Sequence, residues 1–347
     1  MMIMTRFSKI LLLLLILLLF VLAFIGWKIN SLESQNINFL TEGADRQVVE
    51  HQTELASVVS VCHSKNIDVW KISHKKILKY IKAKKYKVIV PDAEVEIFKN
   101  ATDHRYEVIP ETSILPHAKE ILKKYMPKDI QGRLGWYLQQ LLKIKALLDG
   151  NDDDIILIWD ADTIPLKPLN FVNKDGKIIY YTGKEHHPPY FDLIKKIFGF
   201  DKKVNFSFIA QCFPAKVVWV KAFCKKLEDK YKADWVEAIC SNIISFNGSG
   251  FSEYETLGTF FTHCFDDEIS FSNKPWIRYG KSILGRPECL TEERESIISM
   301  VADHITFESW HSKRYSYLYK VMLDCASKIF GFLMASSDNV LDPHFIS

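Results

Sequence analysis

The longest apolar run in the chain, "ILLLLLILLLFVLAFIGW" from Ile10 to Trp27, holds 18 residues without a charge. As a helix it measures about 27 Å, enough to cross the hydrocarbon core of a bilayer. The pattern then changes, and residues 30–53 are polar, mixed and weakly periodic, as in a short stem. Past the stem, β-branched runs alternate with amphipathic segments. "ELASVVSVC" reads as a first buried strand, "VWKISHKKILKYIKAKK" as a helix and "YKVIVPD" as a second strand. After "YEVIPET" a long helix is expected over "QGRLGWYLQQLLKIKALL". The turn-forming "DGNDDD" ends it, and the run "IILIW" opens the next strand. Strand, helix, strand, helix, strand predicts an α/β fold with a doubly wound, mostly parallel sheet flanked by helices. In such sheets ligands bind beyond the carboxyl ends of the strands.

Charge orients the first segment. Arg6 and Lys9 precede the apolar run, while Lys28 is followed by Glu33, Glu42 and Asp45. This bias places the N-terminus in the cytoplasm and predicts a single-pass type II membrane protein. A cleaved signal peptide would end in a small-x-small site, and none lies between Ala23 and Ser31. The net charge of +3, with 25% charged and 48% hydrophobic residues, is that of an ordinary folded protein and implies no nucleic-acid partner. The lysines of "HKKILKYIKAKKYK" and "FCKKLEDKYK" read as solvated helix faces. Seven cysteines show no paired, metal-type spacing. Of three Asn-x-Ser/Thr sites, at Asn100, Asn205 and Asn247, the second falls in what reads as a buried strand.

The apolar run "IILIW" delivers two carboxylates, Asp160 and Asp162, in "IILIWDADTIPLKPL". Residues i and i+2 of a strand share a face, so both are expected to project together. Two like charges that close call for a cation or a shared proton. Three readings follow. The bland one is a solvated turn, which suits Asp152, Asp153 and Asp154 better. "WDADT" also matches the first motif of haloacid-dehalogenase-type phosphatases, with Asp160 as nucleophile and Asp162 as acid/base. That motif normally opens its domain, whereas about 100 residues of α/β sequence precede it here. Its later acidic pair would have to be Asp266-Asp267, behind the poor strand "FFTHCF". In the third reading, Mn²⁺ or Mg²⁺ bridges the two carboxylates to the diphosphate of a nucleotide-sugar and neutralises the charge that builds on the leaving group.

The stretches "GRLGWYLQQLLK", "WDADTIPLKPL", "HHPPYF", "SFIAQCFPAKVV" and "GSGFSEYETLGTFF" together resemble GT-A-fold glycosyltransferases, including a poorly characterised family of predicted members. The resemblance runs from the first strand to about Trp310. It implies a transferase that moves a sugar from a nucleotide-diphosphate donor to a hydroxyl on a glycan, lipid or protein. It also implies a GT-A-like catalytic domain over 54–315, with a nucleotide-binding half at 54–170 and an acceptor half at 171–315. Residues 1–9, 10–27 and 28–53 are then cytoplasmic segment, anchor and stem, and 316–347 a terminal helix and tail. The membrane would be the Golgi or another secretory membrane in a eukaryote and the inner membrane in a bacterium. An inactive, membrane-anchored binding protein with the same fold is a further alternative.

Further candidates surround the aspartates. Leu134, Leu138, Leu141 and Leu142 share one helical face, with Arg133, Trp136, Tyr137 and Gln140 on another. Arg133 carries a fork of donors suited to a phosphate. The prolines after His186 and His187 predict a stiff loop rather than a helix, with the histidines facing the acceptor. Ser252 to Glu255 has the S-x-x-E spacing of a helix start, which gives Glu255 a capping role and leaves Glu253 freer to face a cleft. By resemblance, the base that deprotonates the acceptor is sought in Glu253 or Glu255. Also by resemblance, His311 is a candidate metal ligand, with His304 and His263 as rivals, and Lys313 and Arg314 are candidates for the diphosphate.

Overall fold

Seven residues of β1 (Leu55–Val61), three of them valine and all but Ala56 buried, form the middle of a five-stranded sheet. The structure, a computed structural model, describes residues 52–311 and 319–328. These fall into two compact units divided between Lys274 and Pro275. The expected anchor, all of the expected stem but its last two residues, and Lys313 and Arg314 lie outside the described residues. Among the described residues no helix is long and apolar enough to cross a membrane.

In the first unit, β1 leads through α1 (Ile67–Tyr80) to β2 (Ala83–Val90), and α2 (Val95–Ala101) leads to β3 (Tyr106–Pro110). Val69, Trp70, Ser73, His74 and Ile77 are the buried residues of α1, at the spacing one helical face requires. Helices α3 (Glu111–Ile114), α4 (Ala118–Tyr125) and α5 (Leu134–Ala146) return the chain to β4 (Ile155–Trp159). The sheet order is β3-β2-β1-β4-β7, where β7 spans Cys212–Lys216. The first three pairings are parallel, while β7 runs antiparallel to β4, with Trp159 opposite Cys212. A mostly parallel α/β sheet is therefore the observed architecture.

Between β4 and β7 lie the short β5 (Thr163–Pro165), β6 (Ile178–Tyr181) and α6 (Pro188–Phe198). The Pro-Pro pair was expected to hold a loop, but it opens this helix instead. Proline's fixed φ suits the first turn, where its missing N–H has no intrahelical acceptor to satisfy. Asn205, expected in a buried strand, is exposed in a loop. After β7 come α7 (Val217–Tyr231), α8 (Trp235–Cys240), α9 (Glu253–Cys264) and β8 (Ile269–Ser272), which pairs in parallel with β6. Aromatic rings of Tyr180, Phe208, Phe213, Phe260 and Phe261 fill the core beside the sheet.

The second unit holds α10 (Gly280–Leu284), α11 (Glu292–Ser299), β9 (His304–Thr306) and helical residues 319–328. Ile277 is bonded through its backbone to His304 and Thr306, and Arg294 ties α11 to Asp324 at 2.7 Å. Ile283, Leu284, Ile297, Ile298 and Ile305 supply the apolar interior.

Candidate active site

The order β3-β2-β1-β4 reverses direction at β1, since the chain first builds outward to β3 and then returns to place β4 on the other side. The crevice beyond the carboxyl ends of β1 and β4 is thus a topological switch point, where open α/β sheets bind ligands. "DADT" emerges there. The strand ends at Trp159, and the Thr163 N–H bonds to the Asp160 carbonyl at 3.0 Å to close a turn. Asp160 and Asp162 therefore do not share a strand face, and the alternation expected from sequence does not apply. The turn is fixed on both sides. Asp160 N–H donates to the Gln211 carbonyl at 2.9 Å, and the Trp159 indole donates to the Thr163 carbonyl at 2.8 Å. Gln211 is buried at φ +64°, an uncommon backbone for a residue with a side chain.

A cation does stand beside Asp160, and it belongs to the protein. Lys143 Nζ lies 2.6 Å from Asp160 Oδ1 and 2.7 Å from Glu253 Oε1. The Tyr254 hydroxyl donates to the same Asp160 oxygen at 2.6 Å, and Lys143 sits 4.4 Å from the centre of the Tyr254 ring. Gln140, one turn before Lys143 on α5, accepts the Glu253 N–H at 3.2 Å. Lys143, Glu253 and Tyr254 are all buried. Burial disfavours the ammonium, but the two carboxylates outweigh it and hold Lys143 above the ordinary lysine range. Burial raises the Glu253 carboxyl, with Lys143 opposing and Asp160 adding to the rise. Sequence reasoning placed Asp160 and Glu253 but missed Lys143 and Tyr254, which stand in the same quoted stretches. Lys143 reads there as an ordinary lysine in the last turn of an amphipathic helix.

On the β1 side, burial and the negative charge of Asp162 push the Cys62 thiol well up. Ser64 donates from its N–H and its hydroxyl to the Glu94 carboxylate at 2.7 and 2.6 Å, with His63 Nδ1 at 3.4 Å. The polar run "HSKN" directly after a buried strand was the available signal for this group.

Glu255 has a different setting from Glu253. It is buried, and its carboxylate meets Lys202 Nζ at 2.6 Å, the Phe208 N–H at 3.0 Å and the Ser207 hydroxyl. Ser252 caps α9 by accepting the Glu255 N–H at 3.4 Å, so half of the capping box forms, while the Glu255 side chain is spent on the 202–208 loop.

Arg133 and His187 meet at one loop. Arg133 donates to the Asn247 carbonyl at 2.9 Å and to Ser249 Oγ at 2.7 Å, while stacking 4.6 Å from the Trp136 ring. His187 Nε2 lies 2.6 Å from the Gly248 carbonyl oxygen. The Tyr137 hydroxyl donates to the Phe246 carbonyl at 2.7 Å and accepts from the Gly250 N–H at 3.2 Å. A Cβ on Gly250 would stand 2.5 Å from the Ser245 carbonyl oxygen, so this crossing requires glycine. The clamped loop runs directly into α9 and thus fixes where Glu253 begins. His186 packs against Phe191 at 5.0 Å.

The donor set decides what a divalent ion could use. Among the described residues no group of three or more His, Cys, Asp or Glu side chains is arranged to hold a metal. Two carboxylates in one turn suit an ion that takes its other ligands from water and a diphosphate, rather than a dedicated protein cage. His311, in the second unit, is buried with its ring 4.7 Å from Tyr279 and 3.8 Å from Trp310, and Nε2 is 3.1 Å from Glu308. Burial, with Arg278 and Lys281 adding, lowers it to about 4, so it is neutral near pH 7. His304 stacks on Trp276, and His263 stacks on Phe200. Asp266 and Asp267 are exposed after the far end of α9, about 18 Å of helix from the Glu253 end that approaches Asp160. That placement removes the second acidic pair from the phosphatase reading.

Residues 53–268 match the sequence model of a family described as "Family of unknown function (DUF6492)". No curated protein matches the chain. Among solved structures, the galactosyltransferase LgtC with donor and acceptor sugar analogues is similar at 9% identity and a TM-score of 0.41, over 78% of this chain and 95% of that one. Mouse xyloside xylosyltransferase 1, in its apo form, is similar at 9% identity and 0.38, over 74% and 98%. An active-site mutant of LgtC gives 10% and 0.42, over 78% and 95%. Overlaps of this size are too loose to carry a substrate or a residue role to this chain.

Proposed function

The chain belongs to the family of unknown function DUF6492, and for this member we propose the activity of a glycosyltransferase with a GT-A-like fold. It moves a sugar from a nucleotide-diphosphate donor to a hydroxyl-bearing acceptor. One observation carries the reading: at the switch point of the sheet the half-buried Asp160, in the turn that also presents Asp162, is joined to the buried Lys143 and Glu253. In the reaction the acceptor oxygen bonds to the anomeric carbon as the bond to the diphosphate breaks. The acceptor proton passes to a carboxylate, and the charge leaves with the diphosphate. Glu253, raised by burial and held through Oε1, supplies that carboxylate through its second oxygen. Glu255 anchors the 202–208 loop, and Arg133 and His187 position the loop that opens α9.

Of the two aspartates in this turn, Asp162 would be the main carboxylate toward Mn²⁺ or Mg²⁺, with Asp160 beside it, and the ion would supply charge neutralisation at the diphosphate. With its N-terminal anchor the enzyme would act on the non-cytoplasmic side of a Golgi, other secretory or bacterial inner membrane.

Calorimetry on the detergent-solubilised full chain tests this, with UDP and GDP titrated with and without Mn²⁺. One nucleotide is expected to bind, more tightly with Mn²⁺, and Asp162→Asn to weaken binding at least tenfold. A folded wild type that binds neither nucleotide under any condition would refute the transferase.

A further inference from the structure

The geometry points to Lys143 as the resident counter-ion of the site. We propose that it is a positioning residue, which holds Asp160 and Glu253 in place by its charge and disfavours Asp160 as the main ligand of a metal. The part concerning metal rests on the transferase reading, while the positioning role does not.

Three observations lead there. Asp160 Oδ1 is met at 2.6 Å by both an ammonium and a phenol, so the oxygen that shares its charge with Lys143 is also the one fixed by Tyr254. Glu253 meets the same ammonium at 2.7 Å, so one buried cation serves two carboxylates that come from a strand end and a helix start. The ammonium is itself restrained, because it sits over the Tyr254 ring while Gln140 on the same helix holds the Glu253 backbone.

A flexible point charge suits this task, since an ammonium offers three donors that can be shared between partners in different directions. Without it, Asp160 and Glu253 would face one another across a buried space with no counter-charge. Removing one member of a buried ion group leaves the others uncompensated, which costs far more than the group contributes on balance. A divalent ion added beside Asp160 would meet this ammonium as well. The like-charge repulsion selects against Asp160 as its main ligand.

The experiment has two arms, both on the full chain in detergent. In the first, thermal unfolding in excess EDTA compares wild type, Lys143→Met, Asp160→Asn/Glu253→Gln and the triple variant. Lys143→Met is expected to melt lower by about 6 °C or more. Neutralising both carboxylates in that background is expected to recover at least half of the loss. Loss of packing alone would show no such recovery, and a Lys143→Met protein as stable as wild type would overturn the positioning role. In the second arm, the nucleotide that wild type binds is titrated with and without Mn²⁺ against Asp160→Asn. The variant is expected to retain the Mn²⁺ dependence, even where its affinity falls. Loss of that dependence as complete as in Asp162→Asn would overturn the assignment of Asp160. If wild type binds no nucleotide, the transferase reading fails and takes the metal assignment with it, and the EDTA arm still decides Lys143.

Discussion

Lys202 reaches Glu255 at 2.6 Å with only 13% of its side chain exposed, and the glutamate side chain is 1% exposed. Replacing Glu255 by alanine leaves that lysine without its carboxylate and strands the Phe208 N–H and the Ser207 hydroxyl. A stability loss of about 3 kcal/mol is expected, read from urea unfolding. Glu253→Gln keeps a hydrogen-bonding oxygen for Lys143 and leaves Asp160 paired, so the fold should survive. As the proton acceptor it should instead lose about 10²–10⁴ in turnover. The two glutamates stand two residues apart in one helical turn, and the pair of measurements separates them. If Glu255→Gln lost turnover with unchanged stability while Glu253→Gln kept it, the roles assigned here would be reversed. Nothing local in "SEYE" distinguishes the two. The difference comes from Lys143 and Lys202, which approach from 110 and 53 residues away in the chain.

Helix α9 carries much of this arrangement, and its packing depends on one missing side chain. A Cβ on Gly258 would fall 2.2–2.5 Å from the Phe208 ring, whose backbone N–H is bonded to Glu255 one turn earlier. Gly258→Ala would have to displace a fully buried aromatic ring rather than a flexible tip. A loss of about 1–3 kcal/mol is expected despite alanine's better helix propensity. Thermal unfolding reads it, and an unchanged or raised melting temperature would show that Phe208 can give way. The start of this helix was legible, because Ser252 with an acidic residue three positions on is a local signal. So were the strand–helix alternation and the place of the aspartates at a strand end. The end of β4 was not legible to the residue. Whether Asp160 continues a strand or opens a turn depends on the carbonyl of Gln211, the residue just before the antiparallel β7, a contact that no periodicity records. The helix behind the Pro-Pro pair was lost for a different reason: proline breaks a helix interior but suits its first turn.

At the scale of the whole chain, each unit buries a histidine that must stay neutral. His74 in the first unit is 1% exposed, with Nδ1 2.7 Å from the Trp70 carbonyl oxygen, and burial lowers its pKa despite that bond. His311 in the second unit is lowered to about 4, mainly by burial. Between its folded value and the ordinary histidine value near 6.5, the unfolded chain binds a proton that the folded chain does not. Stability therefore rises with pH across that window, is fully present above about 6.5 and is lost as pH falls toward 4. For His311 alone the loss at pH 4 is about 3 kcal/mol. Surface carboxylates such as Asp229 and Asp324, held below their usual values by Lys225 and Arg294, lose their contribution at lower pH still. Glu253, raised by burial, works in the opposite direction, so the wild-type slope is a sum over several groups. His311→Phe isolates one of them, since it keeps a ring between Tyr279 and Trp310 and has nothing to protonate. Melting temperatures from pH 7.5 down to 4.5 should fall less steeply in the variant than in wild type. Parallel curves would assign the acid sensitivity to other groups and show that His311 takes up its proton with the fold intact.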